Sequence, residues 1–381
     1  MKLFKSLLIA PATLGLLAPI SAFANEANLN DISNYSNLED IEFANAFSND
    51  DSNNSLLLAG GEGLVDDSFD GGFSETTSAS FSADALIGAI DGDTTTEATV
   101  FEYQFNIGLS TSFTGEDSLD VAIDSGSVAA ATNDNPMAFD TGSALSVDGV
   151  TYSFPVGGAS MIVGVDTNIS AAFTGACTYS AFTDHLGTCG TDLSVDVGGH
   201  GATVAGSYAW DSGFSLAAGV SGTADKDTQA LSKVGLLTKE GEDMYGLEAA
   251  YTADSWGVAV AYVVDDNAAS AETTYWGVNA NYSFDLVDLS VGYETEETGG
   301  AEKSGYFVGM TFPEVGPGSV SIGAGTAANV ASTATELMMY EASYSYPVND
   351  GLTITPGVFI EEKGTGVDDL TGVIVKSSFS F

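Results

Sequence analysis

The chain has 381 residues, with 53 Asp and Glu residues against 8 Lys and Arg residues, and its formal net charge is −45. All eight cations are lysines. This acidity argues against nucleic acid and anionic lipid headgroups as partners, because both are bound through Lys and Arg. Since 44% of the residues are apolar and 10% aromatic, the composition is nevertheless too apolar for a disordered acidic chain.

The amino terminus has the organisation of a secretory leader. Two lysines precede an apolar stretch over residues 7–20, and the Ala-Phe-Ala motif at residues 22–24 has the small-x-small pattern of a cleavage site. We therefore predict a signal peptide over residues 1–24. Residues 25–73 are rich in Asn, Asp, Ser and Glu and only weakly periodic, which favours a flexible acidic periplasmic segment.

The rest of the chain alternates apolar and small polar residues with a period of two. On the predicted strand 99–113, Phe101 and Tyr103 share one face, and Glu102 and Gln104 share the other. No apolar run beyond the leader approaches the roughly 20 residues that a membrane-spanning helix needs, so a crossing of the bilayer must use strands. Very short turns alternate with longer polar loops, and this layout is typical of a transmembrane β-barrel.

We therefore predict an all-β fold, a transmembrane antiparallel β-barrel of about 16 strands, within a range of roughly 14 to 18, over residues 74–381. The connections between the predicted strands separate into tight turns and long polar loops, and the long ones are expected to face outward. The long loops of the second half are predicted at 223–243, 265–273, 296–303, 326–335 and 362–369. The predicted strands are 74–90, 99–113, 117–125, 143–154, 157–168, 201–210, 213–222, 244–253, 256–264, 274–284, 287–295, 304–313, 318–325, 336–346, 351–361 and 370–381.

Several segments resemble the outer-membrane porins of cyanobacteria, which belong with the carbohydrate-selective porins. They are Leu29–Tyr35, Thr111–Gly115, Tyr152–Gly157, Asn349–Phe359 and Ser378–Phe381. The resemblance implies a passive channel in the outer membrane of a Gram-negative-type cell, for small hydrophilic solutes such as inorganic ions, sugars or metal species. Such porins usually carry an S-layer-homology domain before the barrel, and the acidic segment here is too short to be one.

Acidic residues recur on the face that the alternation directs into the barrel. We expect them to line the pore and to favour cations, although a solvated position at the rim is an equally good interpretation of each. The candidates are Glu102, Glu248, Asp288, Glu294, Glu341 and Glu361. Porins of the resembled family usually carry Arg and Lys around residues 99–125, where this chain has no cation. An anion or sugar preference based on such cations is therefore not expected here.

Cys177 and Cys189 are the only cysteines and are twelve positions apart. In an oxidising compartment such a pair favours a disulfide. With His185 between them they offer three ligands for a metal, which is the weaker alternative. The segment 169–200 that contains them is the third outer loop by strand count. In general porins that loop folds into the lumen and narrows it, so the resemblance implies a constriction loop here.

The chain ends in an alternating strand that carries Phe379 and Phe381. We expect these two aromatic residues to lie at the periplasmic rim, in an aromatic girdle. We also expect this strand to be the segment that the barrel-assembly machinery of the outer membrane recognises. The other expected partners are outer-membrane lipid, small ions and solutes, and two further copies of the chain in a homotrimer, as in general porins.

Motifs of catalysis and of cofactor binding are missing from the sequence. It has no Gly-x-Ser-x-Gly elbow, no phosphate-binding loop and no His-Glu-x-x-His, so we predict neither enzymatic activity nor a cofactor. The alternative from another class is a secreted or surface-attached β-solenoid, structural or calcium-binding, with acid-rich turns. A solenoid needs a repeat of about 20 to 50 residues, and the sequence shows none.

Overall fold

The structure is a computed structural model that describes residues 76–92, 95–127, 139, 142–197, 201–222, 236–237, 243–266, 271–331 and 334–380. The predicted signal peptide, the acidic segment 25–73 and Phe381 lie outside the described residues. No helix in the described part of the chain is both long enough and apolar enough to cross a membrane. Two short 3₁₀ helices, Ile169–Ala172 and Asp184–Leu186, follow the fifth strand.

The described residues form one antiparallel sheet. Its strands are β1 Thr77–Gly92, β2 Thr95–Thr111, β3 Ser118–Gly126, β4 Ser146–Val156, β5 Ala159–Val165, β6 Ala202–Ala209, β7 Phe214–Gly222, β8 Asp243–Thr252, β9 Trp256–Asp266, β10 Thr273–Ser283, β11 Asp288–Thr298, β12 Ala301–Val315, β13 Gly318–Thr326, β14 Val330–Ala331, β15 Met338–Asn349, β16 Leu352–Glu361 and β17 Leu370–Ser380. The two-residue β14 pairs with β12 beyond the end of β13, so β13 and β14 share one position in the sheet.

The sheet closes on itself. Apart from the short β14, which pairs with β12, the strands pair in chain order, with β15 following β13. β1 pairs with β2 and also with β17, the latter in a register from Ser82↔Ser380 to Asp91↔Thr371. The result is a closed barrel with 16 strands in its wall, which confirms the predicted fold class. A closed antiparallel barrel is not a stack of coils, so the solenoid alternative is wrong.

The outer face of the barrel is apolar, with aromatic residues concentrated near both ends of the strands. Along β8, for example, the exposed Tyr245 and Leu247 point outward between the buried Met244, Gly246 and Glu248. Exposed aromatics near the short turns are Phe113, Tyr208, Trp210, Phe214, Trp256, Tyr282, Phe284, Tyr346 and Phe379. Those nearer the opposite end are Phe101, Tyr245, Trp276, Tyr306 and Tyr340, and Tyr103 and Tyr293 lie at the centres of their strands. Two aromatic girdles around an apolar band are typical of a barrel embedded in lipid.

Asp117 organises the turn between β2 and β3. Its Oδ1 accepts hydrogen bonds from the backbone N–H groups of Phe113 (2.9 Å) and Thr114 (2.8 Å), and its Oδ2 accepts one from the Tyr152 hydroxyl (2.7 Å). The hydrogen bond from Tyr152 is the largest of the causes that hold the pKa of Asp117 far below its usual range. The carboxylate thus fixes a six-residue connection, 112–117, that would otherwise lack a regular pattern of backbone bonds.

One predicted loop is not a loop. The prediction of a long polar loop over 296–303 is wrong, because β11 and β12 stay paired up to Thr298↔Ala301 and are joined by Gly299 and Gly300 alone. Both glycines have positive φ angles, 59° and 85°, which two-residue hairpin turns require. Residues near this turn, such as Glu297 and Glu302, are polar because the hairpin carries on beyond the apolar band, and a polar strand is easily mistaken for a loop.

Closure of the sheet predicts resistance to detergent. Every strand of the wall is paired on both sides, so there is no free edge at which unfolding would begin. We expect the folded protein to migrate as a compact species in SDS gels unless the sample is boiled, and boiling to shift it to the position of the unfolded chain. A protein that is monodisperse in buffer without detergent would contradict the membrane-embedded barrel.

Candidate functional site: the lumen and its inward loop

The connection between β5 and β6 folds into the barrel. We call its described residues 166–197 the inward loop. Its backbone N–H groups donate to inward side chains on distant strands: Thr174 to Glu248 on β8 (2.6 Å), and Phe182 to Glu341 on β15 (2.8 Å). Because a segment outside the barrel could not reach the inner faces of β8 and β15 together, the inward loop crosses the lumen.

Three glutamates of the wall hold the inward loop near its start, its middle and its end. Glu248 accepts from the N–H groups of Thr174 (2.6 Å) and Gly175 (3.1 Å). Glu294, on β11, accepts from the N–H of Leu193 (3.0 Å) and the hydroxyl of Ser194 (2.6 Å). We refer to Glu248, Glu294 and Glu341 as the latch glutamates.

Glu341 makes the densest of these contacts. Its Oε1 accepts from the Tyr179 hydroxyl (2.8 Å) and the Phe182 N–H (2.8 Å), and its Oε2 accepts from the Thr183 N–H (2.7 Å) and from the Thr183 hydroxyl. Burial, and next the nearby Glu341 charge, raise the pKa of Tyr179, so its hydroxyl remains a donor at neutral pH. A loop cannot pair its own N–H groups as a strand does, and these carboxylates supply the missing acceptors.

Glycines on the wall make room for the aromatic side chains of the inward loop. A Cβ atom at Gly309 or Gly323 would come within 2.5 Å of the Tyr179 side chain, and one at Gly357 within 2.5 Å of Phe182. Contacts that close are not tolerated, so any larger residue at these positions would displace the ring. Glycine at these inward positions of β12, β13 and β16 therefore provides the space that the aromatic rings of the inward loop occupy.

The disulfide predicted from the sequence is present. Cys177 and Cys189 are joined, with their Cα atoms 5.8 Å apart, and they close the part of the inward loop that carries Tyr179 and Phe182. Cys189 is fully buried in an apolar cluster with Leu186 of the loop and other wall and loop residues. Because the bond uses both thiols, the alternative in which they bind a metal with His185 is wrong.

The remaining predicted acids lie in different surroundings. Glu102 on β2 accepts from the N–H of Phe139 (3.2 Å), so the described part of the β3–β4 connection covers it. Glu361 on β16 accepts from the Lys363 Nζ (2.9 Å). Asp288 at the start of β11 is only partly buried. Their roles in the passage of ions stay predictions.

Carboxylates are also crowded at the end of the inward loop. Burial raises the pKa of Asp192 well above its usual range, and the charges of Glu294, Asp196 and Asp184 raise it further. Burial and the neighbouring negative charges both disfavour the ionised form of this carboxyl.

A second part of the wall forms no side-chain hydrogen bond with the described residues of the inward loop. We call it the open wall and define it by the inward side chains of Ser78–Asp84, Asn106–Ser110, Ser118–Ala122 and Lys376–Ser380. Its side chains are mostly Ser, Asn and Asp, with one lysine. Among the described residues, the lumen therefore has one side occupied by the inward loop and one side lined by small polar groups, and a polar lining of this kind suits water and hydrated solutes.

Comparisons with known proteins agree with this architecture. Residues 82–358 match the family described as Gram-negative porin. Among solved structures, the chain is similar to OprB of Pseudomonas putida, with a TM-score of 0.64 and 11% identity over 80% of this chain and 94% of that one. It is also similar to a loop L8 deletion mutant of OmpT, an outer membrane protein of Vibrio cholerae, with a TM-score of 0.57 and 12% identity over 81% of this chain and all of that one. A sequence search of curated proteins finds no match.

Proposed function

Because the chain belongs to the Gram-negative porin family, we propose that it lets small hydrophilic solutes diffuse passively across the outer membrane, with a preference for cations. The observation that carries the proposal is the division of the lumen between a latched inward loop and an open polar wall. A loop held on several strands narrows the lumen, and the gap beside it sets the size limit. Family and fold are typical of channels without enzymatic activity.

The preference for cations rests on charge. The described barrel has few cations. Lys303 pairs with Glu296 (2.7 Å), and Lys363 pairs with Glu361 (2.9 Å). The remaining described lysine, Lys376, lies on the open wall. Against a net charge of −45, such a lumen attracts cations and repels anions, and low-dielectric walls strengthen the effect. Charges of the outer loops act only over a Debye length of about 8 Å at physiological salt and about 3 Å at 1 M.

Three finer points complete the proposal. The carried solutes include inorganic ions, and the resemblance to cyanobacterial carbohydrate-selective porins adds sugars and metal species as candidates. The functional unit is a homotrimer in outer-membrane lipid. The strand that ends in Phe379 and Phe381 is recognised by the barrel-assembly machinery after a signal peptide over residues 1–24 has been cleaved.

Recordings from the purified protein in a planar bilayer test this function. Under a tenfold KCl gradient we expect stepwise conductance and a reversal potential with the sign for K⁺ over Cl⁻. Because exposed charges are screened by salt, the preference should fall as salt is raised and persist in part at high salt. A reversal potential near zero, or of the opposite sign, would contradict the preference for cations. Absence of any conductance would contradict the channel itself.

A further inference from the structure

The inward acids of the barrel fall into two groups by what covers them. The latch glutamates are withdrawn beneath the inward loop, and Glu248 is only 1% exposed. Each is surrounded by hydrogen-bond donors of the loop, so the charge is already compensated where it lies. A passing ion would meet the loop before it met any of these three carboxylates.

The open wall is different, because its hydrogen bonds stay within the wall. The hydroxyls of Ser110 and Ser118 are 2.9 Å apart, and Ser118 donates to Asp120 (2.9 Å). Ser378 donates to Asp84 across the seam between β17 and β1 (2.5 Å). Among the described residues, none of these side-chain hydrogen bonds reaches the inward loop.

The exposure of the inward side chains also differs between the part of the wall under the inward loop and the open wall. On β9 the inward Ala259 is 0% exposed, because the inward loop packs against it. On β3 the inward Ala122 is exposed, and so is the inward Ser80 on β1. Two inward alanines of the same size thus have opposite exposure, which indicates that the open wall on the inner face of β1–β3, near the short turns, is not covered by the inward loop.

Three charges belong to this open surface: Asp84 on β1, Asp120 on β3 and Lys376 on β17. The Lys376 Nζ lies 3.7 Å from the Asp84 Oδ1, and the two side chains are 28% and 22% exposed. Their pairing leaves Asp120 as the carboxylate without a cationic partner among the open-wall charges. The net charge of this set is therefore a single negative charge, well below what the composition suggests.

We propose that Asp84, Asp120 and Lys376 determine the ion preference of the channel, and that the latch glutamates position the inward loop without selecting ions. The inference rests on the proposed channel function and names the residues that carry its selectivity. It reverses the simplest interpretation of the alternation pattern, in which every inward acid contributes to selection. It also gives Lys376 a definite effect, that of lowering the preference for cations.

A charge series tests the proposal with the full-length protein in planar bilayers. In Asp120→Asn and in Asp84→Asn we expect the K⁺ to Cl⁻ permeability ratio to fall, and in Lys376→Gln to rise, each by about twofold to fivefold at low salt. The double variant Asp84→Asn/Asp120→Asn leaves Lys376 alone, so it should come nearest to anion preference. Asp285→Asn is the matched control, because it removes one acid from an exposed turn outside the lumen and should leave the ratio unchanged.

Two outcomes separate this inference from the proposed function. If the wild type conducts and prefers cations, but the Asp120 and Lys376 variants have its permeability ratio, the residue assignment is overturned and the channel function stands. If Glu248→Gln shifts the ratio more than Asp120→Asn does, the assignment is likewise wrong. Heat-modifiable migration in SDS identifies any variant that fails to fold. Asp120→Ser, which keeps a hydrogen-bonding side chain, then replaces Asp120→Asn.

Discussion

The triple substitution Glu248→Gln/Glu294→Gln/Glu341→Gln is expected to release the inward loop and to raise the single-channel conductance above that of the wild type. The three carboxylates accept hydrogen bonds from five backbone N–H groups of the inward loop. A glutamine keeps one acceptor oxygen and replaces the other by an NH₂ group, which cannot accept. At Glu248 and Glu341 each oxygen accepts from a different loop N–H, so one buried N–H loses its partner or faces another donor. At Glu294 both loop donors share Oε2, so the new NH₂ group faces the Asn329 side chain instead.

The size of this effect follows from the cost of an unpaired buried polar group. Each such group costs about 1–3 kcal/mol, so the unpaired groups at Glu248 and Glu341 together rival the stability of a local structural unit. The wall has its own ladder of backbone bonds, and the barrel should survive the change. We expect a higher and noisier conductance, together with cleavage within the inward loop by an added protease that leaves the wild type intact.

Glu361→Gln is the control for the latch variant. It makes the same chemical change at an inward glutamate that accepts a hydrogen bond from Lys363 and is not bonded to the described residues of the inward loop. Its conductance and protease resistance should match the wild type. If the triple variant also behaves like the wild type, while its barrel remains heat-modifiable, the inward loop is held by packing alone and the role of the latch glutamates is wrong.

The strands could be predicted from the sequence because lipid on one side and lumen on the other impose a period of two on each strand. On β10, for example, Trp276 and Val278 face outward, and Gly277 and Asn279 face inward, as the alternation indicates. The pairing of neighbouring strands follows from short turns such as Asp211–Ser212. The disulfide was predictable for a simpler reason, since the chain offers only one pair of cysteines.

The contents of the lumen could not be predicted in the same way. Alternation assigns Glu248 and Asp84 to the same inner face, although a loop covers one and leaves the other open. The two residues differ because Glu248 contacts the inward loop through residues such as Thr174, which is more than 70 positions away in the chain. No local sequence pattern predicts a contact between residues so far apart. The glycines that accept Tyr179 are a signal that can be recognised only once the inward loop is in place.

The second large effect is expected from breaking the disulfide. In the variant Cys177→Ser/Cys189→Ser the tip of the inward loop loses its covalent closure, which in the chain-entropy account costs roughly 3 kcal/mol for a ring of this size. The tip carries Tyr179 and Phe182, whose rings pack against the wall. We therefore expect a higher or noisier conductance with normal assembly, because the wall does not depend on the bond. The single variant Cys177→Ser should act in the same direction.

The change should be smaller than in the latch variant, since the latch glutamates still hold the inward loop near both ends and at Thr183. A reducing agent added to the wild type in the bilayer should reproduce the phenotype, and added to the double serine variant it should do nothing, which separates loss of the bond from loss of the sulfur atoms. Thiol labelling of the folded, unreduced protein provides the decisive check. Two reactive thiols per chain would show that the bond does not form in the outer membrane, and the inward loop would then be held by its hydrogen bonds and its aromatic contacts alone.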